Sequence, residues 1–239
     1  MSPNPKRFIE HLRAMGYHPR SDKHSNSLAD AIVRDVLASS ARCRERAAAG
    51  ELVYELNFTI RPGTSDWNVD LVMGTPPPAT PPPDAEESIR RTSPSTVQIA
   101  IEIKSVMTEH RKAVKNRKRD FEAHHEHVHR YSNEAIAAGV LVVNQASTFK
   151  SPLRKGQTIH KNVEKLIEHC ILQMRSVTTR SNTNEVGLDA KAALVVDMNN
   201  VDLASTGYVT RTPAPTVGDP LHYDSFVQLV GSLYTRRFG

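Results

Sequence analysis

The stretch from Val97 to Lys104 constrains the fold more than any other part of this chain. Val97, Ile99, Ile101 and Ile103 alternate with Gln98, Ala100, Glu102 and Lys104. Side chains along a β-strand point to opposite faces with a period of two. The segment therefore predicts a strand with one apolar face and one face bearing a carboxylate and an ammonium two residues apart. Apolar runs before it (Leu71-Val72-Met73) and after it (Val140 to Val143) put this strand inside a sheet. Two opposite charges there are costly unless they have a partner or a task.

The flanking chain reads as alternating helices and strands. Residues 1–24 are basic and polar, with a turn signal at Pro19-Arg20. Residues 27–49 predict a helix: Ser27 can cap it, Leu28, Ile32 and Val36 form an apolar stripe, and Gly50 ends it. Residues 51–60 predict a strand, followed by a turn holding Pro62 and Gly63. Asp70 opens a second strand. Residues 75–96 form a Pro-rich insertion, because Pro76–Pro78 and Pro81–Pro83 cannot join a sheet ladder. Residues 108–135 predict a long charged helix with a narrow seam of Val114, Phe121, Val128 and Ala135, ended by Gly139. Val140–Val143 is a short buried strand. Residues 159–177 predict an amphipathic helix with Val163, Leu166, Ile167, Cys170, Ile171 and Met174 inward. A strand at 192–197 and a helix near 223–235 complete the chain. The order suggests one α/β domain over residues 1–239 with a mixed central sheet flanked by helices. Its core spans about 27–145, and a C-terminal α/β extension covers 146–239.

Composition narrows the class. Among 239 residues, 38% are apolar, enough for an ordinary core, and the net charge of +5 favours polyanionic partners. No apolar run is long enough to span a membrane, and the start lacks the apolar region of a secretory signal. The two cysteines, Cys43 and Cys170, fall in apolar helical stripes and read as core residues. A cytoplasmic protein is expected.

Glu102 and Lys104 project from one strand face. If the strand opened by Asp70 is its antiparallel neighbour, Asp70 meets Glu102 across the ladder. Two carboxylates with a few waters form a hard oxygen site suited to Mg²⁺ or Mn²⁺, and the carbonyl of Ile103 lies close enough to join. A metal there lowers the pKa of bound water and stabilises charge on a phosphate. Lys104 would orient or deprotonate the attacking water.

Asp70, a 31-residue gap and then Glu102-Ile103-Lys104 resemble the signature of the PD-(D/E)xK nuclease superfamily. The element order over about 27–145 resembles its restriction-endonuclease-like core, αβββαβ. The resemblance implies Asp70 and Glu102 as metal ligands and Lys104 as the catalytic lysine. Asn68-Val69 stand before Asp70 where a proline often precedes the aspartate. Asp66 is a rival to Asp70 but lies in the turn. Some members add an acid from the first helix, for which Asp30 and Asp35 are the candidates. The segment from Glu102 to Asn144 also resembles a bacterial nuclease domain of restriction and antiviral defence proteins. That implies a Mg²⁺-dependent endonuclease acting on double-stranded DNA. A homodimer is compatible with this reading, symmetric dimers being the commonest oligomers.

Two further features bear on function. Arg111, Lys112, Lys115, Arg117, Lys118 and Arg119 crowd the helix after Lys104, and Arg111, Lys112 and Lys115 are nearest its active end, where phosphates would dock. His125-Glu126-His127-Val128-His129 matches H-E-x-x-H, which by itself would suggest a zinc peptidase with His125 and His129 as ligands and Glu126 as base. His160 or Glu164 would have to supply a third ligand. That reading explains neither the Glu102–Lys104 strand nor the cationic half of the helix. A third reading is a nucleic-acid-binding module without catalysis.

Overall fold

The computed structural model describes residues 5–61, 63 and 66–239. Pro62, Thr64 and Ser65 of the expected turn lie outside that set. In chain order the elements are α1 (Lys6–Met15), α2 (Lys23–Ser39), α3 (Ala41–Ala48), β1 (Val53–Ile60), β2 (Trp67–Gly74), β3 (Arg90–Arg91), β4 (Ile99–Val106), α4 (His110–Tyr131), β5 (Ile136–Asn144), β6 (Thr148–Phe149), β7 (Thr158–Ile159), α5 (Val163–Arg175), β8 (Ala190–Asp197), β9 (Gly207–Tyr208) and α6 (Tyr223–Phe238).

Seven strands form one mixed sheet in the order β3-β1-β2-β4-β5-β8-β9. β1, β2 and β4 are antiparallel neighbours, whereas β4, β5 and β8 run parallel. β5 is buried at all nine residues, as expected for a parallel strand covered on both faces. α1, α2, α3 and α6 pack over one face through Leu28, Ile32, Phe226 and Val230. α4 and α5 cover the other through Val114, Phe121, Val128, Ile167 and Cys170. The protein is thus a three-layer α/β structure with helices on both faces. The C-terminal part continues the sheet through β8 and β9.

Several boundaries differ from the sequence reading for local reasons. The helix expected over 27–49 is two helices. Ser40 is extended (φ −119°, ψ 113°) and its side chain accepts from the Cys43 amide at 3.2 Å, so it caps α3. α2 starts at Lys23, and Ser27 lies inside it. α1 has no counterpart in the reading, although Phe8, Ile9 and Leu12 are its buried stripe. Gly139 does not end α4. It lies inside β5, and the Phe121 ring occupies the space over it: a Cβ there would sit 2.7 Å from Phe121 Cδ1. α4 stops at Tyr131, so Ala135 continues its apolar seam only in sequence. α5 is shorter than expected, because Thr158–Ile159 pairs with β6. The Pro-rich insertion contributes one short strand, Arg90–Arg91, parallel to β1.

Val97 also departs from the alternation. Met73 faces Ile99 in the ladder, yet the Gln98 amide also donates to the Met73 carbonyl at 2.9 Å. Two residues opposite one make a β-bulge, which shifts the face on which preceding side chains lie. Val97 accordingly joins the core under α4, while Ile99, Ile101 and Ile103 face the other core.

Candidate active site

The chain gathers Asp70, Glu102 and Lys104 by breaking two ladders at one point. β1 and β2 pair at Leu56–Leu71 and at Phe58–Val69, but Asn57 and Asp70 between them do not pair. Asn57 has φ 55°, a left-handed conformation that Asn adopts more readily than most side chains. It kinks β1 there. On the other side, the β2–β4 ladder runs through Met73–Ile99, Val72–Ala100 and Leu71–Ile101 and then stops. The next inward-facing donor of β4, the Ile103 amide, goes to Asp70 Oδ2 at 2.7 Å. A carboxylate thus replaces a backbone acceptor, which fixes Asp70 beside Glu102. A strand residue's N–H and C=O leave the chain on the same side, so the Ile103 carbonyl faces the same opening.

Lys104 Nζ joins the two acids. It bonds Glu102 Oε1 and lies 3.7 Å from Asp70 Oδ2. Glu102 is only 2% exposed. It pairs in register with Gly139, over which the Phe121 ring of α4 lies. His124 stands on its other side, Nδ1 lying 3.8 Å from Glu102 Oε2. Burial, reinforced by the Asp70 charge and opposed by Lys104, pushes the Glu102 acid up to about 7. Burial opposes the Lys104 ammonium, but Glu102 and Asp70 outweigh it and raise its pKa.

His124 is held neutral. Burial drives its pKa down to about 3. Trp67 Nε1 donates to its Nδ1 at 3.4 Å, which leaves Nε2 to donate to the Ala100 carbonyl at 3.2 Å. The ring cannot neutralise Glu102, whose Oε2 is buried with no hydrogen-bond partner.

An orphaned buried carboxylate oxygen beside a second acid is a chemically suitable seat for a hard cation. Among the described residues no group of three or more His, Cys, Asp and Glu side chains could hold a metal ion. A cation here would rest on two carboxylates, a carbonyl and waters. That sparse set matches the habit of Mg²⁺, which keeps several waters and uses one or two carboxylates plus substrate phosphates.

The site opens into a cleft of about 420 Å³ at the C-terminal end of β4. Asp70, Ile103, Lys104 and Ser105 line it together with Tyr17 and Arg20 of the connection between α1 and α2 and Arg117 of α4, whereas the buried Glu102 does not. The roof is firmly held. Asn200 accepts from the Tyr17 amide at 2.8 Å and donates to its carbonyl at 3.0 Å, and the Tyr17 hydroxyl meets Ser105 Oγ at 2.5 Å.

The other candidates fall elsewhere. Asp66 pairs with Arg61 at 3.3 Å on the surface. Asp30 and Asp35 accept from the hydroxyls of Tyr54 (3.2 Å) and Tyr223 (2.7 Å), and neither lines the cleft. Arg111, Lys112 and Lys115 are exposed and share the outer face of α4 with Arg119. None of them lines the cleft; Arg117 does. Helical phase carried that signal, because Arg117 lies about 200° around the helix from Lys115 at about 100° per residue.

His125 and His129 of the histidine motif lie side by side, with ring centroids 6.1 Å apart, but the motif's histidines have other partners. His129 Nε2 lies 3.2 Å from Asp189 Oδ2, and His127 stacks on Trp67 with ring centroids 4.5 Å apart. His160 packs on His110 at the opposite end of α4. The 19 residues from His110 to His129 span roughly 28 Å of helix, so His160 cannot complete a site with His125 and His129.

Comparison with protein families, with curated proteins and with solved structures found no match for the chain. Among the described residues no helix is long and apolar enough to cross a membrane.

Proposed function

We propose that this protein is a metal-dependent nuclease that hydrolyses DNA phosphodiester bonds, with Mg²⁺ as its cofactor and Mn²⁺ able to replace it. The observation that carries this reading is the meeting of Asp70, Glu102 and Lys104 with the Ile103 backbone beside them: Asp70, Ile103 and Lys104 line a cleft, and the buried Glu102 is joined to it through Lys104. Asp70 and Glu102 would hold the ion through carboxylate oxygens, and Ile103 through its carbonyl. The bound ion would polarise the scissile phosphate and make a coordinated water acidic.

The chain's own groups supply the rest. Lys104 is poised by two carboxylates to orient the attacking water and to offset negative charge gathering on the phosphate. Glu102 is buried with the neutral His124 beside it, and the exclusion of bulk water strengthens each charge interaction at the site. Arg111, Lys112 and Lys115 on the outer face of α4 would draw in the polyanion through general electrostatic attraction. Double-stranded DNA as substrate, endonucleolytic cutting and a role in restriction or antiviral defence rest on the resemblance to the PD-(D/E)xK superfamily and belong to the same proposal.

The test is direct. The protein is incubated with plasmid and linear DNA in Mg²⁺, Mn²⁺ or EDTA, beside Lys104→Ala. Cleavage that needs the metal and falls at least 100-fold in the variant is expected. No cleavage of any nucleic acid with any metal would sink the proposal, and salt-sensitive binding without turnover would recast the protein as a binding module.

A further inference from the structure

We infer that Arg117 is the residue that grips a substrate phosphate inside the cleft, a role distinct from the basic outer face of α4. The inference rests on the nuclease reading for its substrate class, and on its own geometry for the residue.

Two arginines line the cleft, Arg20 of the connection between α1 and α2 and Arg117 of α4, and of the two Arg117 is the one whose guanidinium is tethered among the described residues. The Lys104 ammonium is already engaged by Glu102 and Asp70. Arg111, Lys112, Lys115 and Arg119 face outward, away from the cleft. Lys118, the neighbour of Arg117, is paired with Glu122 at 2.9 Å. Arg117 is therefore the α4 cation that lines the cleft.

Its guanidinium is oriented in advance. Nε donates to the Ser105 carbonyl at 3.4 Å, and Nη1 donates to Asp120 Oδ2 at 2.9 Å. Ser105 directly follows Lys104 on β4, so the first tether sets the guanidinium in register with the catalytic strand. A guanidinium carries five N–H donors, and these two bonds use two of them. Among the described residues Nη2 makes no other hydrogen bond. The remaining donors form the planar fork that suits a bidentate phosphate contact. The Ser105 and Tyr17 hydroxyls also line the cleft; they bond each other, and the pair keeps one O–H free as a neutral donor. One fixed guanidinium and one free hydroxyl donor next to a hard-cation seat have the composition of a phosphodiester subsite.

The test pairs Arg117→Ala with Arg117→Lys, which keeps the charge and removes the fork. Both variants are checked for unchanged thermal unfolding. Affinity for a single-stranded and a duplex oligonucleotide is measured in EDTA over a salt series, and cleavage is measured in Mg²⁺. Arg117→Ala should weaken binding about 10- to 100-fold and lower the salt slope by about one phosphate contact. Arg117→Lys should restore the slope but only part of the affinity. A methylphosphonate at the gripped position should weaken the wild type and leave Arg117→Ala indifferent.

Wild-type cleavage with an Arg117→Ala variant within twofold in both binding and rate overturns the inference and leaves the nuclease reading standing. Binding that depends on Arg117 without any cleavage keeps the phosphate grip and removes the nuclease. A wild type that neither binds nor cuts overturns both.

Discussion

Glu102→Gln tests the site through stability, before any substrate is known. Glu102 is 2% exposed, and its Oε2 is buried without a partner. Burial raises its acid from 4.5 to about 7. A carboxyl whose folded-state pKa lies above its unfolded value contributes stability that is fully present below the unfolded value. That stability is lost as pH rises through the folded value. For Glu102 the loss falls between about pH 4.5 and 7. At about 1.4 kcal/mol per tenfold, it amounts to roughly 3 kcal/mol. Gln keeps the shape and has no proton to lose. Lys104 gives up one charged partner but retains Asp70 at 3.7 Å and partial access to water. The variant should therefore be more stable than wild type by about 1–3 kcal/mol at pH 8, or roughly 3–10 °C in Tm for a chain of this size. The difference should close below pH 4.5. Thermal unfolding followed by circular dichroism from pH 4 to 8 reads the effect directly. Millimolar Mg²⁺ should raise the wild-type Tm by preferential binding to the folded state and leave the variant unmoved. A variant no more stable than wild type at pH 8, or an offset that is the same at pH 4 and 8, would refute the claim that burial disfavours the Glu102 carboxylate.

Two other perturbations address the frame around the site. Asp189 is buried and accepts from Arg180 Nε at 2.9 Å, Arg237 Nη2 at 2.5 Å and the Ala137 amide at 2.8 Å. Burial works against its charge, but these bonds and His129 outweigh it and hold its carboxyl well below the usual range. Asp189→Asn leaves two buried guanidiniums short of charge, so chemical denaturation should show a loss of roughly 3–5 kcal/mol. Because the folded-state pKa is depressed, that difference should persist above about pH 4 and shrink as the wild-type acid is protonated below it. Gly139→Ala sets a Cβ 2.7 Å from Phe121 Cδ1 and 3.2 Å from Leu188 Cδ1. It should cost about 1–3 kcal/mol by overpacking and, by displacing the ring over the register partner of Glu102, lower cleavage more than the stability loss alone would.

The strand carrying Glu102 and Lys104 was legible because alternation is a local property. Three isoleucines fix one face, and the two charges then follow on the other whatever the rest of the chain does. Val97 marks the limit of that logic. One extra residue opposite Met73 reverses its face, and a bulge of this kind leaves no mark in the alternation. Gly139 failed for a different reason. Glycine weakens a helix, and α4 does end before it, but the glycine is there for contact between Phe121 and the sheet, which only the folded structure reveals. α1 went unread because its three apolar residues are set among basic and polar ones and gain their meaning only against the core. Arg117 was hidden in a run of six cations that composition treats alike and helical phase separates.

Asp70 was the least secure of the three site residues in the sequence, since its place depended on a pairing across a Pro-rich insertion. The structure gives the reason it sits where it does. A regular antiparallel ladder through position 70 would satisfy the Ile103 amide with a backbone carbonyl and leave the aspartate with no fixed direction. The left-handed Asn57 opens the pairing on the far side of β2, and the Asp70 carboxylate takes the Ile103 amide itself. The irregularity that a sequence reading would count against a strand is what turns this one toward the acid and the lysine on its neighbour. A chain that spends a ladder bond and leaves a buried carboxylate oxygen without a partner within one small region has given up stability there. The combination makes sense as a seat for a ligand that completes it, which is the physical core of the case for a metal-dependent site.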